Sequence, residues 1–137
     1  KANTLREGKG IAILAFGSMV ETARQAAENL NATLVDMRFI KPLDEETVIH
    51  AANQHSLIIT VEENAIMGGA GSAVNEVLAR EGIVLPILNL GIPDDFIEHG
   101  KPSEMLEACS LTATGIQESI ETRLQKLENQ RNAKNVS

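Results

Sequence analysis

Leu57-Ile58-Ile59-Thr60-Val61-Glu62-Glu63-Asn64-Ala65-Ile66-Met67-Gly68-Gly69-Ala70-Gly71-Ser72 decides the fold. Its apolar start, Leu57-Ile58-Ile59, opens a strand that runs to Val61, near-continuously apolar as in a parallel sheet covered on both faces. Two carboxylates follow, then a glycine cluster, then Ala73, Val74, Val77 and Leu78 on one helical stripe. Gly82 marks the end of that helix. The order strand, acid, glycine, helix places carboxylates beside the unpaired N–H groups and positive dipole of a helix N-terminus. In α/β folds the carboxyl ends of strands are where sites form.

The same rhythm runs outward in both directions. Ile11 to Phe16 is a second apolar run, broken by Gly17, with Ser18 and Glu21 in capping-box spacing. Val20, Ala23, Ala27 and Leu30 form the stripe behind it. Thr33 to Met37 reads as a strand; Pro42 ends regular structure, and Asp44 is placed to cap a helix carrying Val48, Ile49 and Ala52. Val84 to Leu90 is the next strand, and Pro86 within it predicts an edge position or a bulge. Ser103 is expected to cap a short helix with Met105, Leu106 and Cys109. Thr114 and Gln117 repeat the capping-box spacing before a last stripe of Ile116, Ile120, Leu124 and Leu127. Such alternation predicts an α/β fold with a mostly parallel sheet and helices on both faces. Residues 1–10 read as a linker, 11–127 as one domain and 128–137 as a polar, frayed tail.

Composition narrows the function classes. The 137 residues carry a net charge of −7, which argues against nucleic acid, whose binding draws on clustered Lys and Arg. Aromatics are 2%, with no Trp or Tyr, so base-stacking platforms are not expected. No apolar run approaches the roughly 20 residues needed to span a bilayer. No basic start precedes an apolar signal core, and the lone Cys109 permits neither an internal disulfide nor a zinc thiolate cluster. A cytoplasmic setting fits. The start at Lys1 rather than Met suggests a piece of a longer chain.

Three segments together resemble the C-terminal domain of the 1-deoxy-D-xylulose-5-phosphate synthase family, in the transketolase superfamily. They are Thr60 to Ser72, Leu34 to Asp44 with Arg38, Lys41 and Pro42 inside it, and Leu90 to Gly100 with Ile92-Pro93-Asp94-Asp95-Phe96 inside it. Their order and spacing match from about Gly8 to Leu124. The resemblance implies a three-layer α/β/α fold with a mixed sheet of about five strands, the first strand being the antiparallel one. It implies a parent enzyme that uses thiamine diphosphate and Mg, decarboxylates pyruvate and joins the two-carbon unit to glyceraldehyde 3-phosphate. The superfamily holds the diphosphate and metal with Gly-Asp-Gly followed by asparagine, and Gly-Asp-Gly does not occur in this sequence. The expectation is therefore a structural, dimer-supporting fragment that has no catalytic residue and binds no cofactor or metal. Its partners would be an upstream pyrimidine-binding domain and a second subunit of a homodimer. Another enzyme of the superfamily, or a free-standing α/β binding module, is the alternative.

The candidate site residues are Arg38, Lys41, Asp44, Glu62, Glu63, Asn64, Gly68, Gly69 and Gly71. Adjacent side chains on an extended segment point to opposite faces, so Glu62 and Glu63 are not expected to act as a convergent acid pair. One should accept hydrogen bonds from the glycine loop and the other meet a partner surface. The glycines fail the dinucleotide fingerprint, because Val74 occupies the third glycine position and Asn89, not an acid, sits on the next strand. Tight loop packing is favoured over anion binding there. Arg38 admits a phosphate contact, but a salt-bridged loop at an interface fits Arg38, Lys41 and Asp44 better. Asp36 should bond amides of its own loop. His50 and His55 are five apart, outside the spacing of a helical metal pair, and His99 lies in an acidic loop. Cys109 reads as a core residue.

Overall fold

The computed structural model describes residues 1–38, 42–95 and 101–136. Among these, the strands are β1 (Asn3–Arg6), β2 (Ile11–Ala15), β3 (Thr33–Asp36), β4 (Leu57–Ala65) and β5 (Ile87–Ile92). The helices are α1 (Met19–Leu30), α2 (Glu45–Gln54), α3 (Ala70–Arg80), α4 (Pro102–Ala108) and α5 (Ala113–Val136). The sheet order is β1-β3-β2-β4-β5. The pairs β2–β3, β2–β4 and β4–β5 are parallel.

The apolar runs became the central strands because both faces of the sheet are covered. Ile11, Ile13, Ala15, Leu34, Ile59 and Val61 turn to one side and pack with α1 and α5 through Met19, Ala23, Ala27, Ile116 and Ile120. Ala12, Leu14, Phe16, Val35 and Ile58 turn to the other and meet α2 and α3 through Val48, Ala52, Val74 and Leu78. Alternate residues of one strand thus serve two cores. Each fully buried Ile or Leu contributes roughly 1.5–3 kcal/mol. Chain order places β3 on one side of β2 and β4 on the other, so direction reverses between β2 and β4. Their carboxyl ends form the topological switch point.

Several local expectations are corrected. Asn3–Arg6, within the stretch read as a linker, is an edge strand antiparallel to β3. It is this strand, and not Ile11–Ala15, that runs antiparallel. Pro86 lies just before β5, which is the opposite edge of the sheet, as a strand proline requires. Ser18 stands at the α1 N-cap without a side-chain cap bond. Lys101, not Ser103, precedes α4. At α5 it is Thr112, not Thr114, whose hydroxyl accepts from a free amide, that of Gly115 at 3.0 Å. Asp44 does cap α2, accepting from the Thr47 amide at 3.2 Å. The tail read as frayed continues α5 to Val136, although every position from Glu128 to Asn135 is exposed.

Candidate functional site

The site is built where β4 leaves the sheet. From the pair Val61–Leu90 to the pair Ala65–Ile92, β4 advances four residues while β5 advances two. The excess in β4 is a bulge, which re-aims side chains locally. Glu62 turns inward and is 1% exposed, whereas Glu63 and Asn64 face solvent. Gly91 lies opposite, where an added Cβ would approach the Asn64 carbonyl to 2.9 Å and Glu62 Cγ to 3.2 Å.

Glu62 fills the N-terminus of α3. The Ala70 amide donates to its Oε1 at 2.7 Å and the Gly71 amide to its Oε2 at 2.6 Å. Both oxygens are satisfied by free helix-end donors, within reach of the positive helix dipole. The glycines permit that approach. A Cβ on Gly69 would stand 2.2 Å from Glu62 Oε1 and 2.4 Å from the Ala65 carbonyl. On Gly71 it would meet Thr60 Oγ1 and Asn89 Nδ2, both at 2.9 Å. The reading of one carboxylate bound by the glycine loop therefore holds for Glu62. An external anion would find this helix end already occupied.

Glu63 faces out and accepts from the Ser18 hydroxyl. That contact joins the ends of β2 and β4 at the topological switch point. Met67, on the same rim, is 75% exposed, and its amide donates to Asp94 Oδ1 at 3.3 Å. Gly68 turns the loop at φ +78° and its amide donates to Ser72 Oγ. Asp36 Oδ1 accepts from the Arg38 amide at 3.0 Å, as expected, and Arg38 is exposed at φ +61°. Asp44 accepts from the Ala2 amide at 3.0 Å as well as from Thr47. Burial pushes the Asp44 carboxyl up, but the Ala2 amide, the Thr47 amide and hydroxyl and the charge of Lys1 together hold it below the ordinary aspartate value. Lys41 and His99 lie outside the described residues.

The eight candidates among the described residues thus do not form one cluster. Glu62, Gly69 and Gly71 make an interior anchor, and Glu63, Asn64 and Gly68 sit on the exposed rim above it. Among the described residues, no hydrogen bond or ion pair links Arg38 or Asp44 to either group. Sequence reasoning missed the layer beneath Gly71, where Asn89 Nδ2 donates to Thr60 Oγ1 at 2.7 Å and Asn75 Nδ2 to Asn89 Oδ1 at 2.8 Å. Its signal was present as two polar residues, Thr60 and Asn89, each flanked by apolar neighbours in its strand. Cys109 is half-buried and packs at the edge of one core, where burial pushes its thiol up.

A family model described as "Transketolase, C-terminal domain" matches residues 1–116. The chain belongs to the transketolase C-terminal domain family. It is 55% identical over 122 residues to the 1-deoxy-D-xylulose-5-phosphate synthase of Pseudomonas entomophila (strain L48), a match that covers 89% of this chain and 19% of that protein. With the synthase of Chromohalobacter salexigens it shares 53% over 127 residues, or 91% of this chain and 19% of that one. The chain thus spans about a fifth of the length of the curated relatives it matches. A split-gene transketolase, solved as an inactive β4 tetramer, superposes with a TM-score of 0.82 at 35% identity, covering 91% of this chain and 42% of that one. A Pichia stipitis transketolase variant shares the fold at a TM-score of 0.65 and 20% identity, over 93% of this chain and 18% of that one. The three-layer fold with its mixed, mostly parallel sheet is the transketolase C-terminal fold. Among the described residues, no helix is long and apolar enough to cross a membrane.

Proposed function

We propose that this transketolase C-terminal domain is the third domain of a 1-deoxy-D-xylulose-5-phosphate synthase. The parent enzyme would decarboxylate pyruvate, releasing CO2, and join the two-carbon unit to the aldehyde of glyceraldehyde 3-phosphate. The product would feed isoprenoid, thiamine and pyridoxal phosphate synthesis. The observation that carries this reading is the identity above one half to synthases across nearly the whole domain. The weaker identity to the split-gene transketolase makes transketolase the second choice.

Thiamine diphosphate supplies the carbanion chemistry in such an enzyme. The residues present here do not fit it. The α3 N-terminus, where a diphosphate might rest, is filled by Glu62. Among the described residues no group of three or more His, Cys, Asp or Glu side chains converges as a metal site. Cofactor and Mg would be held by the rest of the parent chain. Its own role is structural. Glu62 and the glycines fix the loop from inside, and the exposed rim of Glu63, Asn64 and Met67, with Arg38 nearby in the sequence reading, packs on the upstream pyrimidine-binding domain and supports the homodimer. The inactive state of the split-gene β4 tetramer is in keeping with a fragment that has no activity alone.

The test uses the full-length enzyme. Glyceraldehyde 3-phosphate is supplied with either pyruvate or a ketose phosphate as donor, and product and native mass are followed for wild type and for Glu63→Lys. The expected outcome is 1-deoxy-D-xylulose 5-phosphate from wild type, and a slower rate or a weakened dimer from the variant. Product from a ketose donor instead of pyruvate would overturn the synthase assignment. Unchanged rate and mass in the variant would overturn the role of the rim.

A further inference from the structure

The segment before β2 is attached in an unusual way. β1 buries little apolar surface: Asn3 and Thr4 are exposed, Leu5 and Arg6 half-buried, and Leu5 alone of the four packs against the core. Besides its backbone pairing with β3 and the packing of Ala2 on the other core, polar clasps hold the segment. The Ala2 amide donates to Asp44 Oδ2 at 3.0 Å. Arg6 Nη1 donates to the Ala32 carbonyl at 3.0 Å and to Asn31 Oδ1 at 3.1 Å. The Gly8 amide donates to Thr33 Oγ1 at 2.9 Å, and the Lys9 amide to the Asn31 carbonyl at 2.9 Å. Gly8 runs so close to the α1–β3 turn that an added Cβ would lie 2.1 Å from the Asn31 carbonyl oxygen.

Behind the Gly8 clasp is a relay with a fixed direction. His55 Nδ1 lies 2.8 Å from the Ala51 carbonyl, which can only accept, so Nδ1 carries the proton. In the neutral ring Nε2 is then the acceptor. It lies 2.7 Å from Thr33 Oγ1, so the Thr33 hydroxyl proton points to it. That leaves an oxygen lone pair of Thr33 aimed at the Gly8 amide. Thr33 is 6% exposed, so its hydroxyl has little recourse to water. Between β1 and α2 is a cavity of about 280 Å³ lined by Thr4, Glu7, Gly8, Thr33, His50 and His55, among others.

We propose that residues 2–9 are a detachable strap over this cavity, latched by the Gly8–Thr33–His55 relay and able to open as one unit while the rest of the domain stays folded. Segments with few buried apolar contacts open at lower free energy than the core. Here the central strands are buried on both faces, whereas the strap is held at the sheet edge by its pairing with β3 alone and by the clasps at its ends. His55 acts as a positioning residue: its hydrogen bonds go to Thr33 and the Ala51 carbonyl rather than to β1 or Gly8, and it fixes which way the Thr33 hydroxyl points.

Native-state hydrogen exchange on the 137-residue chain in low urea tests this. The β1, Gly8 and Lys9 amides should exchange together, at a lower opening free energy than the β2 and β4 amides. Thr33→Val should speed exchange of the whole group about tenfold, the loss expected for one hydrogen bond, and leave β2 and β4 unchanged. Thr33→Ser should restore the wild-type rates. Long-range ¹H–¹⁵N spectra of wild type, taken well above the ordinary histidine pKa, should show His55 protonated on Nδ1 and bare on Nε2; this readout survives even if the valine variant fails to fold. Strap amides that exchange only with β2 and β4 would overturn the proposal. So would a Thr33→Val effect confined to Gly8, or a proton on Nε2.

Discussion

Two helices begin at the carboxyl edge of the sheet, next to each other across the switch point, and their N-termini are treated in opposite ways. At α3 the buried Glu62, eight residues before Ala70 and nine before Gly71, reaches back from its own strand and satisfies two helix-end amides. At α1, Ser18 occupies the N-cap but turns its hydroxyl outward to Glu63 and makes no cap bond. The sequence advertises the reverse, since Ser18 and Glu21 have capping-box spacing while Gly69, at the α3 N-cap, has no side chain. The local pattern names residues able to cap. Which of them does so depends on where the tertiary fold supplies a better partner.

The largest way to break this contrast is Glu62→Gln. The amide can accept through one oxygen only, so its NH₂ would face either the Ala70 or the Gly71 donor inside a buried loop. An orphaned donor and the loss of a charged acceptor together predict a destabilisation of about 2–4 kcal/mol, read from urea unfolding. Gln at this position should also loosen residues 66–69, seen as faster amide exchange there. A loss under about 0.5 kcal/mol would mean that Glu62 is a bystander and that α3 starts well without it.

Much of the fold was legible because burial leaves its mark on composition. Ile11 to Ala15 is apolar without interruption and Leu57 to Val61 is so but for Thr60, as strands covered on both faces must nearly be, and their helices carry clear stripes. β1 was not legible: an exposed edge strand of sequence Asn-Thr-Leu-Arg has the same composition as a linker, and its pairing with β3 spans about thirty positions in sequence. The end of α5 was hidden for a related reason, because a helix polar on every side after Leu127 shows no period to detect. At the site, opposite orientations for Glu62 and Glu63 followed from strand geometry. Which one points inward is set by the bulge, whose excess residues can be counted only once Leu90 and Ile92 are known to be the partners. Asn89 and Thr60 drew no attention as a pair because they belong to different strands, joined by a contact 29 positions apart.

A third helix start sharpens the comparison. Asp44 caps α2 locally, as its position in the sequence predicts, and also holds the Ala2 amide of the strap. Asp44→Ala should cost about 1 kcal/mol near neutral pH, the usual value of an N-cap. The carboxyl is held below its ordinary value in the folded chain. Its contribution is therefore complete above the unfolded aspartate pKa of about 3.9, and is lost as pH falls through the lower folded value. Urea unfolding of wild type and variant at neutral pH and in acid should show the gap narrowing on the acid side. A constant gap would assign the effect to helix propensity and packing rather than to the charged cap.

Ser18→Ala carries the smallest effect and separates the two readings of α1 most directly. A working capping box would make the serine worth about 1 kcal/mol. The structure instead gives its hydroxyl to Glu63 on an exposed surface, where polar pairs of this kind contribute little. The expected change in unfolding free energy is below about 0.5 kcal/mol. Glu63→Ala should match it within error, because each variant removes one side of a single exposed contact. If Ser18→Ala instead costs the full value of a cap while Glu63→Ala costs nothing, the hydroxyl spends its time on the α1 amides. The α1 and α3 N-termini would then be capped alike, one from its own turn and one from the neighbouring strand.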